Sequence, residues 1–174
     1  MRKYHLLLGA AVLGLGVSLF WTRSPEKREE VKSLPWFKGN THTHTLWSDG
    51  NDFPDMVVDW YKEQGYDFLA LSDHNILSRG EKWMKSASIK GRQKSAGASA
   101  LEKYRERFGE DWVEVRGEGE SEEVRLKTLD ELRAEFEEEG SFLLVEAEEN
   151  TVRFERHQVD INALNHEEVI PPQK

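Results

Sequence analysis

The segment from Trp36 to Ser72 leaves this chain few architectures to choose from. Trp36-Phe37-Lys38-Gly39-Asn40 reads as a short strand. Asp52 is placed to cap a helix with Pro54 in its first turn, and Phe53, Met56, Val57, Trp60 and Tyr61 recur at helical spacing before Gly65 ends the run. Tyr66 to Ser72 then has the length and composition of a buried strand. Strand, helix and parallel strand within about 35 residues form a βαβ unit, whose crossover is expected to be right-handed. The fold class that follows is α/β.

Beyond this unit the pattern is uneven. Ile76 to Ala98 carries Lys82, Lys85, Lys90, Arg92 and Lys94 among Ser, Ala and Gly, and is expected as a solvated loop, with a phosphate-attracting lid as the alternative. Ser99 and Glu102 form a capping box for a helix with Leu101, Tyr104 and Phe108 on one face and Gly109 as its stop. Trp112 to Arg116 suggests a strand. Thr128 and Glu131 repeat the capping box, with Leu129, Leu132 and Phe136 as the buried stripe, Glu137 to Glu139 as a solvated helix end and Gly140 as the stop. Ser141 to Glu146 is a buried strand leading to Glu148 and Glu149, and Val159 to Leu164 reads as another. No internal repeat is visible.

Two short clusters carry the chemistry. The first is Thr41-His42-Thr43-His44-Thr45-Leu46-Trp47-Ser48-Asp49-Gly50, the second Leu71-Ser72-Asp73-His74-Asn75. On extended backbone, residues i and i+2 point to one side about 6.5–7 Å apart, so His42 and His44 can aim at one ion; the alternative is two exposed histidines on an edge strand. Asp49 adds a carboxylate, and Gly50 lets the backbone turn sharply. Asp73 and His74 fall at the carboxyl end of a parallel strand, where α/β folds place their sites. His74 can ligate metal while Asp73 either orients a neighbouring group or caps a turn. The 174-residue chain has no cysteine. Any divalent ion must therefore be held by imidazole and carboxylate, which suits zinc, manganese or iron.

These motifs, in this order and spacing, resemble the polymerase-and-histidinol-phosphatase (PHP) family of metal-dependent phosphoesterases, over about Trp36 to Gln173. The resemblance implies the amino-terminal portion of a distorted (β/α)7 barrel with a two- or three-metal centre at the carboxyl ends of its strands. It implies hydrolysis of phosphate mono- or diesters, with a phosphorylated small molecule as substrate and a hydroxide held between ions about 3.5–4 Å apart as attacking group. The family's next ligand aligns with Ala147-Glu148-Glu149-Asn150-Thr151. Glu149 is the metal ligand by register, and Glu148 if the register is off by one. Where the family has a histidine before its Val-Asn-Ala-Leu-Asn stretch, this chain has Asp160, an oxygen ligand in its place. His157 is the candidate for a substituting or substrate-contacting group, and Asp49 and His157 are the candidate catalytic residues. The metal set is then His42, His44, Asp49, His74, Glu149 and Asp160. The family's later histidine and final Asp-x-His have no counterpart after His166. The expectation is therefore an incomplete domain, active or not, with a non-catalytic exported metal-binding or interaction module as the alternative. Self-association through exposed barrel edges is expected of such a piece.

The amino terminus has the layout of a targeting segment: Arg2 and Lys3, an apolar run from Leu6 to Phe20, then charged residues to Lys32. Residues 1–23 are expected as a signal peptide or membrane anchor, with residues 4–21 as the anchoring stretch, residues 24–35 as a linker and 36–174 as the domain. Export, periplasmic or extracellular, is the implied address. The formal net charge of −9 becomes more negative without Arg2, Lys3 and Arg23. Such a surface repels phosphate backbones, so general nucleic-acid binding is not expected.

Overall fold

A computed structural model describes residues 34–92 and 99–171. The chain divides into Met1–Pro35 and Trp36–Lys174, and the fold below is that of the second unit. Residues 1–33, where a targeting segment and most of a linker are expected, lie outside the described residues, among which no helix is long and apolar enough to cross a membrane.

The expected βαβ unit is present. Strand β1 (Gly39–Asn40), helix α1 (Pro54–Glu63) and strand β2 (Phe68–Leu71) follow in order, and β1 pairs parallel to β2. Proline at the start of α1 suits a position whose amide would have no intrahelical partner. The cap position is Phe53, one residue later than expected, and Asp52 instead accepts a hydrogen bond from the Phe53 amide at 3.0 Å.

The stretch after β2 corrects the sequence reading. Lys82–Lys85 is a strand, β3, followed by helix α2 (Ser86–Arg92). Helix α3 (Ala100–Phe108) comes next, then β4 (Val115–Arg116), a 3-10 turn over Gly119–Ser121, and β5 (Glu123–Leu126). Strands β3, β5 and β4 form a separate antiparallel sheet. The lysines at the two ends of β3 hid it: Lys85 is exposed, whereas the Lys82 head turns in to donate to the Trp47 carbonyl. Of Trp112 to Arg116, only the last two residues are strand.

Both capping boxes form as expected. Ser99 and Glu102 open α3, while Thr128 and Glu131 open α4 (Leu129–Phe136). Gly109 follows α3 at φ 84°, but Gly140 lies beyond the end of α4, in a turn bridged by Glu138 and Phe142. Strand β6 (Leu143–Phe154) starts near the expected place and continues well past Glu146. It turns back at Glu155 and Arg156 into β7 (His157–Leu164).

The larger sheet has the order β1-β2-β6-β7, with the first three strands parallel and β7 antiparallel to β6. It is a curled sheet in a mixed α/β fold, compatible with part of a barrel. Leu69, Leu71 and Leu144 face α1 and α4 and pack with Val58, Leu129, Leu132 and Phe136. A second core joins the loop residues Leu46, Trp47 and Phe53 to Ile89, Leu101, Tyr104, Val124 and Leu126.

Asp55, in the first turn of α1, is fully buried in this second core. Its Oδ1 accepts hydrogen bonds from the Trp112 indole at 2.9 Å and the Tyr104 hydroxyl at 3.2 Å, tying α1 to α3. Burial pushes its pKa from 3.8 up to about 6, against the lowering effect of those donors. The folded state therefore binds a proton that the unfolded state has released. Stability from this group is fully present below pH ~4 and lost as pH rises through 6. Asp55→Asn keeps an acceptor without the charge. Relative to the unaltered chain, the variant is expected to gain about 3 kcal/mol between pH 4 and pH 7.5, read from denaturant unfolding at each pH. A gap that stays constant with pH would refute the assignment. Glu114 and Glu131, whose hydrogen bonds with Arg125 hold them down at about 2, act in the opposite sense and cancel in this difference.

Candidate metal centre

The loop from Thr41 to Asp52 is fastened at both ends and in the middle. Leu46 and Trp47 are buried, and the Trp47 indole donates to the Lys127 carbonyl at 2.8 Å. Gly50 sits where a Cβ would lie 2.5 Å from the Thr45 nitrogen. Close approach of the loop to itself, more than turning freedom, is what requires glycine there.

Asp73 carries most of the loop's polar attachment. It is 1% exposed, and its carboxylate accepts from the Thr45 amide at 2.8 Å, the Thr45 hydroxyl at 2.8 Å and the Ser48 hydroxyl at 2.6 Å. Of the two roles open from sequence, the structure assigns it the orienting one. Its neighbours continue the attachment. Ser72 exchanges hydrogen bonds with Thr43, through its amide at 2.9 Å and its hydroxyl at 3.1 Å. Asn75, at φ 50°, adopts the left-handed conformation that asparagine tolerates. Its side-chain oxygen accepts from the Thr151 amide at 3.0 Å, and its own amide donates to the Glu149 carbonyl at 3.0 Å.

With the backbone so held, five side chains meet at the carboxyl ends of β1 and β2 and beside β6. His42 and His44 approach each other at 3.0 Å through their Nε2 atoms. Glu149 receives three imidazoles: His42 Nε2 at 3.3 Å, His44 Nε2 at 2.9 Å and His74 Nδ1 at 3.1 Å. Asp49 lies against His44 Nδ1 at 2.8 Å and His74 Nε2 at 3.5 Å. Two three-residue groups could each hold a metal ion: His42, His44 and Glu149, and His44, Asp49 and His74. His44 belongs to both.

The donor set fits a divalent ion. Atoms bonded to one tetrahedral ion at ~2.1 Å lie ~3.4 Å apart, close to the spacing of the first group. Two imidazole nitrogens facing each other cannot both keep lone pairs inward without a proton or cation between them. Glu149, with its side chain only 7% exposed, is ion-paired among the described residues with histidines alone. A buried carboxylate of this kind needs a positive partner.

The carboxylates differ. The side chain of Asp49 is 67% exposed. Its slight burial acts to raise its pKa, but the hydrogen bond from His44 and the charges of His74 and His44 outweigh that and hold the carboxyl below its ordinary value. It is ionised throughout the neutral range. Glu148, the fallback ligand, points away from the cluster by strand alternation. It is fully buried and accepts from the Ile170 amide at 2.6 Å. Glu146 is occupied by Arg79 in a bidentate pair.

Two candidate residues are not brought in. His157 is exposed at the turn end of β7, opposite Phe154 and thus on the face away from Glu149. Asp160 faces the right side, opposite Thr151, but both its oxygens accept from Gln158 at 3.0 Å and it joins neither ligand group. Asn162 is the residue that stands across from Glu149. Thr151 was missed as a site residue: its hydroxyl lies 2.6 Å from His74 Nδ1. Its position two residues after Glu149, hence on the same strand face, was the available signal.

Comparison with protein-family models, with curated proteins and with solved structures gave no match. The class is therefore defined by geometry alone: a mixed α/β protein with a histidine–carboxylate centre beside a parallel sheet.

Asp73→Ala removes three hydrogen bonds, two of them buried, and loosens the loop. The expected result is a loss of about 3 kcal/mol in unfolding free energy, together with weaker metal uptake in calorimetry. His42→Ala, at a half-exposed position, is expected to weaken metal uptake with stability changed by less than about 1 kcal/mol. Equal loss of stability in both variants would contradict the division between fastening and ligating residues.

Proposed function

We propose that this chain is a metal-dependent phosphoesterase related to the polymerase-and-histidinol-phosphatase family. The observation that carries the reading is the meeting of His42, His44, Asp49, His74 and Glu149 in two contiguous three-residue groups that share His44. The motif order in the sequence and the parallel β1-β2-β6 core support it. Zinc, manganese or iron is the cofactor in this reading. Bound divalent ions supply Lewis acidity toward a phosphoryl group and lower the pKa of water.

The chain's own groups have separable tasks. Glu149 fixes three imidazoles from below, and Thr151 sets the orientation of the His74 ring. Asp49, exposed and ionised, can take the proton of a water approaching from solvent. His42, the most exposed of the three histidines, lies at the mouth. Substrates are phosphorylated small molecules, since the open side admits them and the acidic surface disfavours longer polyanions.

A second reading, a non-catalytic metal-binding module, is favoured by the positions of His157 and Asp160 outside the ligand groups. The two part on turnover. Purified protein supplied with manganese or zinc is expected to hydrolyse aryl phosphate mono- or diesters, and chelation to stop it. Glu149→Gln and His44→Ala are each expected to lower the rate about 100-fold or more. Metal uptake without hydrolysis under every metal would leave only the second reading, and no uptake would remove both.

A further inference from the structure

The two ends of β6 carry surfaces that match each other. At its start, Leu143 is 54% exposed. It lines an open groove of about 630 Å³ with Phe37 and Phe68, rimmed by Glu137, Glu138 and Glu139. Glu139 has no ion pair or hydrogen bond among the described residues, and Glu138 makes only a 3.7 Å contact with Lys62. The groove is thus an apolar floor with an acidic edge.

At the other end, β6 and β7 run on past β2. The β2 register stops at Leu71 opposite Glu146, and the next contact is the single bridge between His74 and Glu149. Beyond Thr151, which Asn75 and His74 still hold, Val152 to Phe154 and their partners Val159 to His157 project as a two-stranded arm. Phe154 at its tip is 70% exposed. It is flanked by Arg153 and Arg156, both exposed and neither of them paired among the described residues. The tip Arg153-Phe154-Glu155-Arg156 thus carries a local net charge of +1 around one aromatic ring, on a protein of net charge −9.

We infer that the arm tip of one copy docks in the groove of a second copy, with Phe154 on the apolar floor and Arg153 and Arg156 on the glutamate rim. One chain cannot satisfy both surfaces itself. The 12 residues of β6 separate them by about 36 Å at 3.3 Å per residue. The contact is heterologous, so it leaves a free arm and a free groove on each pair, and growth continues until a ring closes. Burial of aromatic surface supplies attraction, and the opposed charges set the orientation.

Sedimentation velocity of the full chain over a concentration series tests this. Species larger than a dimer are expected to accumulate at low salt and to recede at 0.5 M salt as screening grows, roughly with the shortened Debye length. Phe154→Ser, Arg156→Glu and Glu139→Lys are each expected to weaken association about tenfold or more. An equimolar mixture of the Arg156→Glu and Glu139→Lys proteins is expected to recover it, because each arm then meets a groove of opposite charge. A misfolded variant could not be rescued in this way. A monomeric wild type throughout the series overturns the inference. So does association that survives all three substitutions. A mixture that fails to recover association also overturns it.

Discussion

The buried carboxylate of Asp73 holds the site together. It follows the central parallel strand and accepts three of the hydrogen bonds that fix the middle of the histidine loop. Burying a charge is unfavourable unless its acceptors are filled, and here an amide and two hydroxyls fill them. The loop gains a definite path in return. His42 and His44 lie on one side of the attachment and Asp49 on the other, so all three approach the sheet from directions set by one group. Ser72 and Asn75 extend the same seam, the first to the loop and the second to β6. The ligands are therefore positioned by backbone contacts that require no ion.

The electrostatics are divided between two depths. Glu149 lies low and is surrounded by imidazoles; Asp49 lies high and faces water. The two carboxylates share His44 and His74 between them, which brings opposite edges of each ring into use. Both nitrogens of His44 and of His74 thus face a carboxylate oxygen, which fixes the orientation of each ring. Away from this point the molecule relies on ordinary means: two apolar cores, two capping boxes and an arginine, Arg125, that joins Glu114 to Glu131.

Much of this could be read from the sequence, for identifiable reasons. The βαβ unit and the helices α3 and α4 announced themselves through period and capping chemistry, which are local. The ligands could be found because His-x-His and Asp-His stand at strand ends, where parallel sheets expose side chains. What could not be read depended on distant partners. Strand β3 has lysines at its ends and becomes regular only by pairing with β5, some forty residues on. The length of β6 depends on β7, and the strand passes its expected end because the return strand supplies hydrogen bonds that a lone segment lacks. His157 and Asp160 were drawn toward the site by motif position, whereas the antiparallel hairpin turns His157 to the other face and leaves Asp160 accepting from Gln158. Thr151 was overlooked because a threonine beside a histidine becomes meaningful only once the strand face is known.

Strand β6 has a mechanical consequence. One continuous ribbon runs from the floor of the sheet to the end of the arm, and lateral support on one side stops at Thr151, two residues beyond Glu149. In a cantilever the greatest bending moment falls at the point of support. A sideways load on Phe154 would thus be felt most at the threonine that orients the His74 ring. Whatever grasps the free end of this lever acts directly on the clamp at its root.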